Sequence, residues 1–364
     1  MARTRRRRIL LVVLVGLAAG AAGLLVWLGT PGKDPPLAAD VAFEVRVERS
    51  IDAHAGAAWD LAFSPDGEVL ASCGVDGAVR LWDPDTGAPR GVLRHPAGVT
   101  SLAFAPDGRT LVTGSYDRRV RRWRLADGAL VGTADGHEGT VWSVAASPDG
   151  RWTASGGEDA VVRIWRAADG APAATLRSHA RNVWALAFSP DGARLASGSF
   201  DRDVKLWSLR DATLARTLSG SGQAVVSLAW APDGTWLVSG GDDSAVRTWR
   251  AADGAPLAVL RGGAEHVYAV AVSPDGRWIA AGSRDRTALG ELVRTLLGEQ
   301  HAPPRGRNVR LWRASDGRLA AVLSGNGDDV HGVAFSPDGR RLAASSANGR
   351  VVIWSLDARG GNAR

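Results

Sequence analysis

One turn signature recurs seven times at an almost constant interval, and that regularity restricts the fold more than any other feature of the chain. Ser-Pro-Asp-Gly stands at 64–67, 147–150, 189–192, 273–276 and 336–339, and Ala-Pro-Asp-Gly at 105–108 and 231–234. A tryptophan follows each copy: Trp82, Trp123, Trp165, Trp207, Trp249, Trp312 and Trp354. Successive tryptophans are separated by 41, 42, 42, 42, 63 and 42 residues. A fixed period of this length marks an array whose units bury their apolar faces against one another.

Each period is strand-like throughout. Ala187-Phe188-Ser189 runs into a Pro-Asp-Gly turn, where proline presets φ and glycine accepts a positive value. Leu195–Ser199 forms a second short strand, and Val204-Lys205-Leu206-Trp207 alternates as a third. The turn at Asp169-Gly170 introduces a fourth, Ala173–Leu176. Four short strands per period, repeated seven times, predict an all-β, seven-bladed propeller of four-stranded blades.

The spacing of the polar residues resembles the WD-repeat family of β-propellers over residues 42–357, and the resemblance is to its bacterial, membrane-anchored type. In that family each blade carries a buried His, Ser or Thr, Asp and Trp. Blade 1 offers His54, Ser72, Asp76 and Trp82; blade 2, His95, Thr113, Asp117 and Trp123. Blade 3 offers His137, Ser155, Asp159 and Trp165; blade 4, His179, Ser197, Asp201 and Trp207. The resemblance implies that Asp accepts from His, that the hydroxyl orients His, and that the indole N–H donates to the hydroxyl. Such a connected set leaves no orphan donor. Blade 5 keeps Ser239, Asp243 and Trp249 but has Ser221 in place of His. Blade 6 keeps Asp285 and Trp312 beside Gly263 and Ala281, and blade 7 has Asn326, Ala344 and Asn348 with Trp354. Blades 5 to 7 are therefore expected to be looser, though folded.

After Trp354 no fourth strand remains, whereas an unclaimed one, Ala42–Val47, precedes His54. If residues 42–50 complete blade 7, the two ends of the domain are knitted together and no sheet edge stays open. The long spacing hides 21 extra residues, 287–307, in which Leu289, Leu292, Val293, Leu296 and Leu297 follow helical periodicity before Pro303 and Pro304. This insertion is expected to be an amphipathic helix near the propeller's top face. It is either a decoration burying its own leucines or a docking helix.

Ahead of the propeller, residues 1–8 are basic and residues 9–28 form an uncharged run of twenty, long enough as a helix to cross a membrane. The arginines place the N-terminus in the cytoplasm and the propeller outside it. Residues 29–41 then form a linker and 358–364 a tail. A cleaved signal peptide fits less well, because the apolar run is long and no small-x-small site follows it.

Composition narrows the function. The net charge is +6, but Arg3, Arg5, Arg6, Arg7 and Arg8 supply five of the 44 basic residues, which leaves 39 against 38 acidic ones. The propeller has no diffuse positive field for phosphates, so nucleic acid is not expected as a partner. One histidine per blade spreads those rings around a circle, where they cannot converge on one metal ion. No nucleophile elbow or phosphate loop occurs, and no cofactor is expected.

The resemblance instead implies a protein-binding module or scaffold, monomeric, with contacts on the top face: Tyr116, Trp142, Glu158, Trp184, Phe200, Asp242, Tyr268 and Arg284. Aromatic residues flanked by arginines have the composition of an interface core. The alternative is an extracytoplasmic hydrolase or dehydrogenase working at the central channel. That would need unrepeated polar residues at its mouth, and the sequence offers only Glu158, Asp242 and Arg284.

Overall fold

The computed structural model describes residues 43–261, 266–284 and 308–358. Residues 9–28, the linker, the insertion 287–307, Gly263, Asp285 and the Arg284 side chain lie outside it. Among the described residues no helix is long and apolar enough to cross a membrane.

The Ser-Pro-Asp-Gly signature folds as a self-capped turn. In blade 3 Ser147 Oγ donates to Asp149 at 2.6 Å, and the Asp149 carboxylate accepts Arg151 N–H at 3.0 Å. Ser147 Oγ also accepts Trp152 N–H at 2.8 Å, while Gly150 takes the left-handed conformation at φ 69°. The serine and aspartate side chains cap backbone N–H groups of the turn itself, so the motif recurs where the first strand of a blade hands over to the second.

Seven four-stranded antiparallel sheets result. Six consist of consecutive strands. The seventh orders its strands as 330–335, 341–346, 350–358 and then 43–52, so the first strand of the domain closes the last blade. Phe43–Asp52 pairs with Arg350–Ala358 over its whole length, from Phe43 opposite Ala358 to Asp52 opposite Arg350. Ion pairs of 2.8 Å from Arg341 to Glu48 and from Arg350 to Asp52 fasten the closure. The strand is longer than the predicted Ala42–Val47, but its role is the one expected.

Seven apolar clusters fill the seven junctions between neighbouring blades. The closing junction joins Leu61, Phe63, Leu70 and Trp82 of blade 1 to Ala343, Val351 and Ile353 of blade 7. Each such side chain contributes roughly 1.5–3 kcal/mol on burial, so no blade is stable alone and the ring folds as a unit. Blades 5 to 7 each retain four paired strands despite their degenerate polar sets.

The mouth of the channel as candidate functional site

The His–hydroxyl–Trp pins form in blades 1 to 4. His54, His95, His137 and His179 hold the hydroxyls of Ser72, Thr113, Ser155 and Ser197 at 2.8, 2.9, 2.8 and 2.7 Å. Trp82, Trp123, Trp165 and Trp207 donate to the same oxygens at 3.0, 3.0, 2.8 and 2.8 Å. The fourth member behaves differently from the expectation in one blade. Nδ1 bonds the aspartate at 3.0 Å for His54–Asp76, 3.0 Å for His137–Asp159 and 2.8 Å for His179–Asp201. In blade 2 the His95–Asp117 bond is not made, and His95 Nδ1 is buried with no partner.

The cause is an arginine four residues beyond the aspartate, which the sequence reading overlooked. Arg80 and Arg163 each reach their aspartate through one nitrogen at 2.7 Å and leave room for the histidine. Arg121 instead grips both oxygens of Asp117, at 3.0 and 2.5 Å. A bidentate fork of this kind outcompetes a neutral imidazole. Burial, aided by the Arg121 charge, then pushes the His95 pKa down to about 4. Burial alone would raise the Asp159 carboxyl, but His137 and Arg163 hold it well below the usual carboxylate range.

Blades without the histidine use other means. Asp243 takes the fork of Arg247 and the N–H of Gly222 at 2.7 Å, while Ser239 still holds Trp249 at 2.8 Å. Blade 7 has Ala344 where a hydroxyl would stand, and Trp354 donates to the Ser324 carbonyl at 3.2 Å. These groups orient strands and are engaged with one another, so the pins serve the architecture.

The loops that carry these histidines and aspartates mark the top of the propeller, and there the innermost strands share one irregularity. In every blade the pairing of the first two strands skips a single residue: Trp59, Thr100, Trp142, Trp184, Val226, Tyr268 and His331. A bulge re-aims the extra side chain, and all seven of these line one cavity of about 250 Å³ at the channel. Five of the seven are aromatic rings.

They associate in two arcs. Trp142 and Trp184 stack with centroids 3.9 Å apart, Phe200 stacks on Trp184 at 4.9 Å, and Tyr116 meets Trp142 edge-on at 5.6 Å. Opposite them Trp59 stacks on His331 at 4.6 Å, with Tyr268 at 5.8 Å from that imidazole. Trp59, Trp184, Phe200, Val226 and Tyr268 belong to one apolar cluster across the mouth. The predicted contacts Tyr116, Trp142, Trp184, Phe200 and Tyr268 are thus brought together. Glu158 is exposed on the rim, its carboxylate accepting Thr140 N–H at 3.1 Å, and Asp242 pairs with His266 at 3.1 Å. Neither lines the cavity.

The residue after each bulge forms the next layer, and sequence reasoning missed what it contains. Ser101, Ser143 and Ser227 each accept a backbone N–H from the following blade, those of Val144, Leu186 and Val270, at 3.2, 3.1 and 2.9 Å. Blade 1 has Asp60 at this position. Its carboxylate accepts Ser101 Oγ at 3.0 Å, Leu102 N–H at 3.1 Å and Leu61 N–H at 2.8 Å. Asp60 is partly buried, with part of its surface opening into the channel, and the protein packed around it pushes its pKa up to about 6. Asp60 is therefore an unrepeated ionisable group beyond the three expected at the mouth. The signal was present in the register, where an acid replaces serine.

Among the described residues no group of three or more His, Cys, Asp or Glu could hold a metal ion. The family described as "WD domain, G-beta repeat" matches residues 46–83, 254–289 and 317–355, and "IFT122 first beta-propeller" matches residues 98–243. Human Striatin-4 is 51% identical over 39 residues, 11% of this chain and 5% of that protein. The Intraflagellar transport protein 122 homologs of Xenopus tropicalis and human are 38% and 40% identical over 58 and 50 residues, 16% and 14% of this chain and 5% and 4% of those proteins. These matches thus span about one twentieth of the relatives' length, and the relatives are animal proteins, which lends the bacterial type no support. Seven four-stranded blades, their polar pins and both family matches make this chain a member of the WD-repeat propeller family.

Proposed function

We propose that the protein is a non-enzymatic interaction module, displayed at a membrane by residues 9–28 with the propeller extracytoplasmic, that docks protein partners on its top face. The observation that carries this reading is the bulge repeated in all seven blades, which gathers Trp59, Trp142, Trp184 and Tyr268 at one opening. Rigid aromatic rings in a partly desolvated recess have the character of binding hot spots. Arg118, Arg181 and Arg202 are exposed on the surrounding loops and supply a charged rim. The uncharged run 9–28 and the arginines before it support the membrane display.

The test is capture of partners from detergent-solubilised membranes by the full chain, by Trp184→Ala and by a variant lacking residues 287–307. A specific partner should be retained by the full chain and lost from Trp184→Ala. Retention of the same partners by Trp184→Ala would overturn top-face docking. Loss with the deletion alone would move docking to the insertion.

A further inference from the structure

We propose that the mouth of the channel receives one cationic side chain, lysine or arginine, from a protein partner, paired there with the carboxylate of Asp60. The inference rests on top-face docking and names the chemistry of the residue that enters.

Asp60 carries a charge its structural task does not require. Ser101, Ser143 and Ser227 make the same link to the next blade with a neutral hydroxyl. An acid at that position adds a partly buried negative charge, which a cation entering the cavity would answer. Among the described residues no lysine or arginine lines the cavity. The carboxylate has three protein donors for about four acceptor positions, so it can still accept from a ligand.

Trp59, Trp142 and Trp184 line the same cavity, and a charge pair enclosed by protein is stronger than one made in open water. A volume of about 250 Å³ lies below the range of roughly 300–1,000 Å³ usual for metabolite sites, and suits a single side chain. The exposed arginines of the rim favour acidic residues on either side of the inserted cation, which makes the preferred segment a cation within an acidic stretch.

Binding draws on the ionised form of Asp60, so affinity rises with pH as the carboxyl loses its proton. Three other titratable groups stand around it, Tyr268 of the cavity wall among them. Cys73, on the adjoining strand, is buried with its thiol pushed up, and stays neutral. His331 lies across the mouth, and its protonation would act in the same sense by repelling the ligand.

The test is calorimetric titration of the full chain with N-acetyl-arginine amide and N-acetyl-lysine amide, against N-acetyl-citrulline amide as the neutral control. At least one cationic probe should bind at least tenfold more tightly than citrulline, and its affinity should fall several-fold between pH 7 and pH 5. Asp60→Ser should weaken that binding at least tenfold. This variant adopts the solution three other blades already use, and an unchanged unfolding midpoint would verify its fold. Preference for arginine or for lysine identifies the source of the cation. Equal binding of citrulline, no binding by either cation, or unaltered binding by Asp60→Ser would overturn the proposal. A partner that survives Asp60→Ser but is lost with Trp184→Ala would overturn it while leaving top-face docking intact.

Discussion

Blades 2 and 3 differ in one hydrogen bond, and that difference should be measurable as a coupling energy. Asp159 accepts from His137 at 3.0 and 3.1 Å, whereas Asp117 is gripped by Arg121 and leaves His95 Nδ1 alone. The experiment is a pair of double-mutant cycles, His137→Ala with Asp159→Ala and His95→Ala with Asp117→Ala. Both aspartate variants should be costly, on the order of 3 kcal/mol, because each strands a largely buried arginine. The cycle removes that shared cost and isolates the contact. A hydrogen bond to a charged acceptor contributes about 1.5–3 kcal/mol, so the blade 3 cycle should give a coupling near 2 kcal/mol. The blade 2 cycle should give less than about 0.5 kcal/mol, the usual limit of additivity. Urea unfolding followed by tryptophan fluorescence supplies the four free energies of each cycle. Equal couplings in the two blades would refute the assignment of Asp117 to Arg121.

Acid stability should carry two opposed contributions. The folded His95 pKa of about 4 lies below its ordinary 6.5, so the unfolded chain takes the proton first and stability is lost as pH falls from 6.5 towards 4, by roughly 3 kcal/mol. The folded Asp60 pKa of about 6 lies above 3.8, so its contribution is present at low pH and is lost as pH rises through 6. In unfolding midpoints measured from pH 4 to 7, His95→Gln should flatten the acid loss and Asp60→Ser should steepen it; parallel profiles would contradict both. Gly156→Ala should cost about 1–3 kcal/mol, because the new Cβ would stand 2.6 Å from Val183 of the next blade, and adding Val183→Ala should recover part of that loss. Cys73 is buried with its thiol pushed well up, so a thiol reagent should label it only at the rate of global unfolding.

The fold was legible because the ring is built from repetition. Seven turns and seven tryptophans at one period leave few alternatives, and an unclaimed strand before His54 exposes the closure. The pins were legible as positions but not as bonds. Whether Asp117 serves His95 or Arg121 depends on angles within one turn, although the recurring Asp-x-x-x-Arg spacing at 76–80, 117–121, 159–163 and 243–247 announced a competitor. The aromatic contacts were identified as residues without the bulge that unites them, since a one-residue slip in pairing has no compositional mark. Asp60 escaped notice for the opposite reason. It follows Trp59 in a strand that looks ordinary until the seven registers are aligned and the acid falls where the other blades have serine, alanine or glycine.

The propeller is a ring of seven blades sealed by its own first strand. Amide hydrogen exchange of the full chain, resolved to the segments 45–52 and 350–356, tests that claim without altering the molecule. Closure predicts that the paired amides of 45–52 are protected to the same degree as those of 350–356 and are released with them in one cooperative opening. Rapid exchange of 45–52 while 350–356 stays protected would mean that the last blade is open and the ring unsealed.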